Sequence, residues 1–399
     1  MRVGVVTTSY PRAPGDPAGS FVAEHVDWLR RAGHRVEVVC AGAGPGGVEH
    51  VAWQPDVHVC TVPAPADLFY AGGAPEALDA RGGRALAQAA RFTAALWATV
   101  RRRSKRWERV FAHWLVPSAA AVLGQRRRLP VVAVAHSGDV HLLCRLGLVT
   151  PMAAALYARG AGLAFVSAEL RERFLAAVTP ARLAHALGRR AGVIPMGVAV
   201  DRLRGDQGSG ASPSPSGSHR TVLFLGRLVP IKGVDLLLAA ADRLPPACGP
   251  VRVIVAGDGP LRAALSARAA QVRRCRVELV GEVRGRARDQ LLAAADVLVL
   301  PSRPMGARRE GTPVAALEAM AAGTAVVATD TGGLGDLPAA VITRVRPDDP
   351  AALGEALAAC LLDDLARERQ RRAAARWVEQ HDWSRVGARL WDLSTESSG

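Results

Sequence analysis

A twice-repeated alternation of short β-branched runs with segments of helical period constrains this chain more than any other feature. Arg2–Thr8, Val36–Cys40, Val57–Val62, Val110–Trp114, Val131–Ala135 and Leu163–Ser167 are apolar runs of strand length, and several are separated by helical stretches. In the first such stretch Phe21, Val22, His25, Val26 and Leu29 recur at helical spacing, and Gly33 stands where a helix would stop. The alternation restarts at Thr221–Leu225 and continues through Val251–Ala256, Val277–Val280, Val297–Leu300 and Ala325–Ala328. Short, largely apolar strands alternating with helices suit a parallel sheet covered by helices on both faces. Residues 205–219, GDQGSGASPSPSGSH, carry no apolar side chain larger than alanine. They cannot bury a face and read as a flexible connection. The expected fold class is α/β, with two Rossmann-like, doubly wound parallel-sheet domains facing across a cleft. Ligands of such sheets bind beyond the carboxyl ends of the strands. The expected boundaries are 1–198 for the first domain, 199–219 for a linker, 220–375 for the second domain and 376–399 for a final helix and tail.

Length and composition agree with this. A chain of 399 residues has room for two or three cores, and 49% hydrophobic residues exclude a disordered or collagen-like chain. The net charge of +15 is concentrated: residues 81–128 hold twelve basic side chains and one acid, Glu108. Of 51 basic residues only Lys105 and Lys232 are lysines, so a lysine in this arginine-rich chain is informative. Six scattered cysteines without a Cys-x-x-Cys pair fit reduced thiols and give no metal-site spacing. No apolar run approaches a membrane span, and MRVGVVTTSY reads as a first strand rather than a leader, so a cytoplasmic protein is expected.

Four motifs bear on chemistry. Gly42, Gly44 and Gly47 have dinucleotide spacing, but the adjoining segment VEHVAWQPDVHV contains Pro55 and no helical period. Without a helix N-terminus aimed at a pyrophosphate the motif reads as a plain loop. Residues 222–233, VLFLGRLVPIKG, are a different case: a buried strand delivers Gly226 and Arg227, and Lys232 with Gly233 opens a helix. Two cations beside a helix N-terminus suit a diphosphate, although solvated loop cations would look the same. Glu310 and Glu318 lie eight positions apart in EGTPVAALE, where Thr312 and Pro313 resemble a helix start. On one helix face they would hold sugar hydroxyls; the alternative is a helix-mouth glutamate and a surface glutamate. Lastly, the run Val131–Ala135 places His136 at a strand end, with Asp139 a reasonable helix N-cap.

In this order and context these segments resemble the retaining glycosyltransferases of family 4, which have the GT-B fold of the glycogen-phosphorylase/glycosyltransferase superfamily. The resemblance covers nearly the whole chain, from MRVGVVTTSYPRAPGDPAGSF through AHSGDVHLL and FLGRLVPIKG to EGTPVAALEAMAAGTAVVATDTGG. It implies that Arg227 and Lys232 clamp the donor diphosphate. Glu310 would bind the transferred sugar with the amides of Gly311 and Thr312, Glu318 the ribose, and Val283 would flank the base. Gly226 and Pro313 complete the donor-binding set. His136, from the first domain, would face the sugar near the reacting carbon. Gly15, Gly19 and Asp139 are N-loop and acceptor-side candidates. The resemblance also implies front-face displacement assisted by the leaving phosphate, no metal or other cofactor, and a last helix with Trp383 that crosses back to the first domain. No Asp-x-Asp occurs. The chain departs from the family pattern in His136-Ser137-Gly138, where His-Gly is usual, and in the separation of Gly15 from Gly19.

The expected partners are a nucleotide-sugar donor and an acceptor that is lipid-linked or part of a surface polysaccharide. Tailoring of a small natural product is the second choice. Residues 84–110 combine Phe92, Leu96, Trp97, Val100 and Trp107 with an arginine cluster. They read either as a helix held against an anionic membrane on the inner face, or as a core-facing stripe with a solvated arginine face. Nucleic-acid binding rests on charge alone and lacks a recognition module. A sugar-nucleotide epimerase would share the nucleotide site, but the paired glutamates argue against it.

Overall fold

The computed structural model describes all residues except 43, 45, 51–53, 55, 70–73, 126, 127, 206–218, 307, 308, 310, 312, 313 and 394–399. The chain divides into two units, Met1–Gly197 with Trp383–Gly399, and Val198–Asp382.

The first unit holds strands β1 (Arg2–Val6), β2 (Arg35–Gly42), β3 (Gly47–His50), β4 (His58–Pro63), β5 (Arg109–His113), β6 (Val131–Ala135), β7 (Gly162–Phe165) and β8 (Ala191–Val193). They form one sheet in the order β3-β4-β2-β1-β5-β6-β7-β8. Every pairing is parallel except that of β3 with β4. The glycines of dinucleotide spacing thus lie at the β2–β3 connection, and a strand succeeds them, as their flanking sequence implies.

The second unit holds β9 (Arg220–Leu225), β10 (Val251–Ala256), β11 (Arg276–Gly281), β12 (Val297–Leu300), β13 (Ala325–Thr329) and β14 (Thr343–Val345), in the order β11-β10-β9-β12-β13-β14 and all parallel. Alternate residues of each strand fill different cores. Val222, Phe224, Val253, Val255, Val297 and Val299 face one cluster, while Leu223, Leu225, Ile254, Leu298 and Leu300 face the other. This is the two-sided burial that the apolar runs require, with roughly 1.5–3 kcal/mol of transfer free energy for each large side chain removed from water.

Two boundaries differ from the sequence reading. Residues Val200–Gly205 form a helix whose Val200 and Leu203 join the core of the second unit, so they are no linker. The composition that cannot bury a face begins only at Gly205, and 206–218 lie outside the described residues. The final helix begins at Trp383, after the helix Asp364–Trp377 and a 3-10 turn, and it belongs to the first unit. There Trp383 stacks on His25 with 5.3 Å between centroids, and its indole N–H donates to Glu24 at 2.9 Å. Trp391 carries the Arg109 guanidinium 3.7 Å above its ring. Glycines admit these indoles: a Cβ on Gly197 would stand 2.6 Å from Trp383, and one on Gly387 2.3 Å from Trp28.

The long helix Ala74–Arg103 settles how the basic stretch packs. Phe92, Leu96, Val100 and Trp107 are buried, and Trp107 covers Gly4 of β1 and donates to Glu37 at 2.7 Å. Of the apolar stripe, all but Trp97 is therefore core. Arg84, Arg91, Arg101, Arg102, Lys105, Arg106 and Trp97 remain exposed.

Candidate active site

Doubly wound sheets bind ligands at the carboxyl edge where strand order reverses. In the second unit that point lies between β9 and β12. β9 ends at Leu225, and the chain turns through Gly226 and Arg227 into the 3-10 turn Pro230–Lys232 and the helix Val234–Ala241. The backbone here is too crowded for side chains. A Cβ on Gly257 would lie 1.8 Å from the Gly226 carbonyl oxygen, and one on Gly233, whose φ is +63°, 2.0 Å from that of Pro301. Only glycine allows both the approach and the left-handed conformation. The Gly226 and Gly257 amides pair with the carbonyls of Ala256 at 3.0 Å and Gly281 at 2.7 Å, drawing the ends of β9, β10 and β11 together. Lys232 folds back so that its Cε lies 4.0 Å from where a Gly226 Cβ would stand, and Arg227 is exposed. Two cations and a helix N-terminus thus concentrate positive potential at one strand end, an arrangement suited to an anion.

Glu310, Thr312 and Pro313 lie outside the described residues; Gly311 is half-buried coil. The next helix is Val314–Ala321, so Glu318 is its fifth residue, one turn in. Nor is Glu318 at the surface: it is 3% exposed. Arg288, from the helix Gly285–Ala294, grips both carboxylate oxygens, Nη1 meeting Oε1 at 2.8 Å and Nη2 meeting Oε2. Arg202 pairs with Asp289, which lies 3.9 Å from Arg288, so the network is ionic throughout. Burial disfavours the Arg288 charge, but Glu318 and Asp289 outweigh it and raise its pKa. Each carboxylate oxygen offers two lone pairs, so Glu318 held this way can still accept a hydroxyl. Arg288, the partner of this candidate residue, is one that sequence reasoning missed. Val283 lies just past β11, half-buried against the same core.

Arg303, just past β12, pairs with Asp235 at 2.8 Å and Asp348 at 3.0 Å.

In the first unit the order reverses between β1 and β5. Gly19, at φ +71°, is the N-cap of the helix Ser20–Arg31, and a Cβ there would lie 2.4 Å from the Ser9 carbonyl oxygen. Gly15 is also left-handed, in the same loop. Asp16 braces that loop by accepting from the Arg12 Nε at 2.8 Å and the Ala18 amide at 3.1 Å. His136 comes directly after β6 and is itself the N-cap position of the helix Ser137–Arg145. Asp139 is therefore not the cap. It lies inside the helix and accepts from the Leu115 amide at 2.5 Å and the Val140 amide at 2.9 Å. Its burial raises the carboxyl pKa to about 7, against those amide contacts. Phe21 packs on His136 at 5.3 Å, so the N-loop helix and the strand-end histidine meet.

Two parallel-sheet units, each with its candidate residues at the carboxyl edge, agree with the GT-B architecture that the sequence resemblance implies. Matches to known proteins are consistent with it. Residues 18–190 match the family "Glycosyl transferase 4-like domain" and residues 219–363 match "Glycosyl transferases group 1". The chain belongs to the family 4 glycosyltransferases of GT-B fold. It is 35% identical over 218 residues to a phosphatidyl-myo-inositol mannosyltransferase of Mycobacterium leprae, covering 51% of this chain and 53% of that protein. It is 32% identical over 241 residues to a GDP-mannose-dependent alpha-(1-6)-phosphatidylinositol monomannoside mannosyltransferase of Mycobacterium tuberculosis, covering 57% and 60%. The matches thus span little more than half of these relatives. The solved structure of Anabaena Alr3699/HepE in complex with UDP shares the fold, with TM-score 0.66, 19% identity and coverage of 99% and 100%.

Proposed function

We propose that the protein transfers a hexose from a nucleotide-sugar donor, with retention, to a lipid-linked or surface-glycan acceptor. The observation that carries this is the cationic, glycine-lined strand end at Gly226, Arg227 and Lys232, at the point where the second sheet reverses its order. Arg227 and Lys232 neutralise the charge that builds on the diphosphate as its bond to the sugar carbon breaks. The acceptor oxygen bonds to that carbon on the same face, and its proton passes to the departing phosphate oxygen. Glu318, held by Arg288, accepts from the donor ribose, and Val283 borders the base. Glu310, with Gly311 and Thr312, holds the sugar. No metal is required for any step. The mannosyltransferase relatives place mannose first among donors to test.

A screen of UDP-, GDP- and ADP-hexoses in EDTA tests this reading. The expected result is turnover, or saturable binding, with one base strongly preferred and with the anomeric configuration retained in the product. The reading fails if no nucleotide sugar binds or turns over.

We propose an electrostatic contact of the exposed arginines of the helix Ala74–Arg103, with Lys105 and Arg106, with an anionic membrane; what supports it is their exposure, the apolar stripe apart from Trp97 being buried. Each cation near an anionic surface contributes about 1 kcal/mol. The protein is expected to co-sediment with anionic but not neutral vesicles at low salt, and Arg101→Glu with Arg102→Glu should abolish it. Equal partitioning to both vesicles, or to neither, contradicts the contact. No helix among the described residues is long and apolar enough to cross a membrane.

A further inference from the structure

Three imidazoles run in single file beneath the carboxyl edge of the first sheet. His25 Nδ1 lies 3.0 Å from His113 Nε2, and His113 Nδ1 lies 3.4 Å from His136 Nε2. They come from the helix Ser20–Arg31, the end of β5, which borders the reversal of strand order, and the end of the neighbouring β6. His25 and His113 are fully buried and His136 is 9% exposed. Aromatic rings sheath the file: Trp383 stacks on His25, Phe111 meets it edge-on at 4.8 Å, and Trp114 lies 4.6 Å from His136.

A neutral imidazole has one donor and one acceptor nitrogen, so a file of three has only two polarities. In one, His136 Nε2–H donates to His113 and His113 to His25, which leaves the proton of His25 on Nε2. That atom is buried and has no hydrogen-bond partner. In the other, His25 Nδ1–H donates to His113 Nε2 and His113 Nδ1–H to His136 Nε2, which leaves only a lone pair on His25 Nε2. A buried orphan donor is the rarer defect in folded proteins, so the second polarity is favoured. Burial, and for His25 and His136 the neighbouring His113, lowers the pKa of all three rings, so each is neutral and the file holds no extra proton.

We propose that His25 and His113 are positioning residues that fix His136 as its Nδ1–H tautomer, with Nε2 closed off inside the file. His136 then offers a hydrogen-bond donor from Nδ1, the nitrogen the file does not use. A donor there suits a sugar or phosphate oxygen and not a substrate proton, so His136 does not serve as a base. The catalytic consequence rests on the transfer reading above; the tautomer does not.

Imidazole nitrogen shifts of the histidine-labelled full chain test it, with His136 assigned by loss of its signals in His136→Gln. The wild type is expected to show a protonated Nδ1 and an unprotonated Nε2. In His113→Asn the amide nitrogen replaces Nδ1 as donor, and the tautomer is kept. His113→Phe removes the donor and is expected to give mixed tautomers. Should that variant not fold, His25→Phe reports the same loss from the far end of the file. A protonated Nε2 on His136 in the wild type, or an unchanged tautomer in both phenylalanine variants, overturns the proposal. These readouts need no turnover, so they stand apart from a failed donor screen. In an active preparation His113→Phe is expected to lower kcat about tenfold at unchanged KM for the donor, with His113→Asn near wild type. A fall of equal size in both variants would show a packing role and overturn the positioning assignment.

Discussion

Lys232→Ala is expected to lower kcat by roughly a hundred- to a thousandfold while thermal unfolding stays close to wild type. The size comes from where the charge forms. The leaving diphosphate gains negative charge only as the glycosidic bond breaks, so a cation at the end of β9 acts more strongly on the transition state than on the bound donor. Lys232 is half-buried in a three-residue 3-10 turn and is not among the buried core, so its loss spares the fold. Lys232→Arg should recover only part of the rate, because a planar guanidinium does not fit where a compact ammonium folds back over Gly226. Steady-state kinetics with the preferred donor check both. Wild-type kcat in Lys232→Ala would remove this residue from the site.

The second large effect is on acid stability. Burial lowers the pKa of His25, His113 and His136, that of His113 to about 3. Unfolded histidine titrates near 6.5. The unfolded chain therefore binds more protons than the folded one across that window. The stabilisation is complete above about pH 6.5 and is lost as pH falls, at about 1.4 kcal/mol per pH unit for each ring. Asp139 works the other way. Its folded pKa is raised to about 7, so its contribution favours the folded state at low pH and fades as pH rises from about 4 through 7. Three rings outweigh one carboxyl, and urea midpoints are expected to drop steeply between pH 6.5 and 5. His25→Phe should flatten that slope by about one ring's share, and Asp139→Asn should steepen it. A midpoint independent of pH over this range would mean that the rings are solvated.

Some of this is legible in the sequence, for identifiable reasons. Strands buried on both faces appear as apolar runs, which is why residues 222–225 of β9, 253–256 of β10 and the whole of β12 stand out. β8, Ala191–Val193, and β14, Thr343–Val345, are three residues each and carry Gly192 and Arg344, so no periodicity marks them. Among site residues, Lys232 stands out as a rare lysine and Gly226 by its place at a strand end. Glu318 is visible in the sequence, but its ion pair with Arg288 is not, because two helices 30 positions apart meet only through tertiary packing. His25 illustrates the same limit. Helical spacing correctly puts it on the buried face, yet its partner is 88 positions away on β5. Asp139 resembles a cap in sequence, but the helix starts two residues before it, leaving its carboxylate to reach back to Leu115.

The placement of Trp383 and Trp391 in the first unit has a consequence for synthesis. A nascent chain emerges from its amino end, and domains generally fold as they appear. Here the unit begun by Met1 cannot finish its core from its own contiguous segment. His25, Trp28, His34 and Arg109 wait for aromatic rings encoded more than 270 residues later. Until those residues leave the ribosome, the early unit holds an unfilled groove over Gly197 and exposes its apolar lining, while the second unit, contiguous from Val198 to Asp382, is already able to close. Translation of the segment from Trp383 onward therefore completes the first unit, and chaperone engagement should concentrate in the interval before that segment emerges.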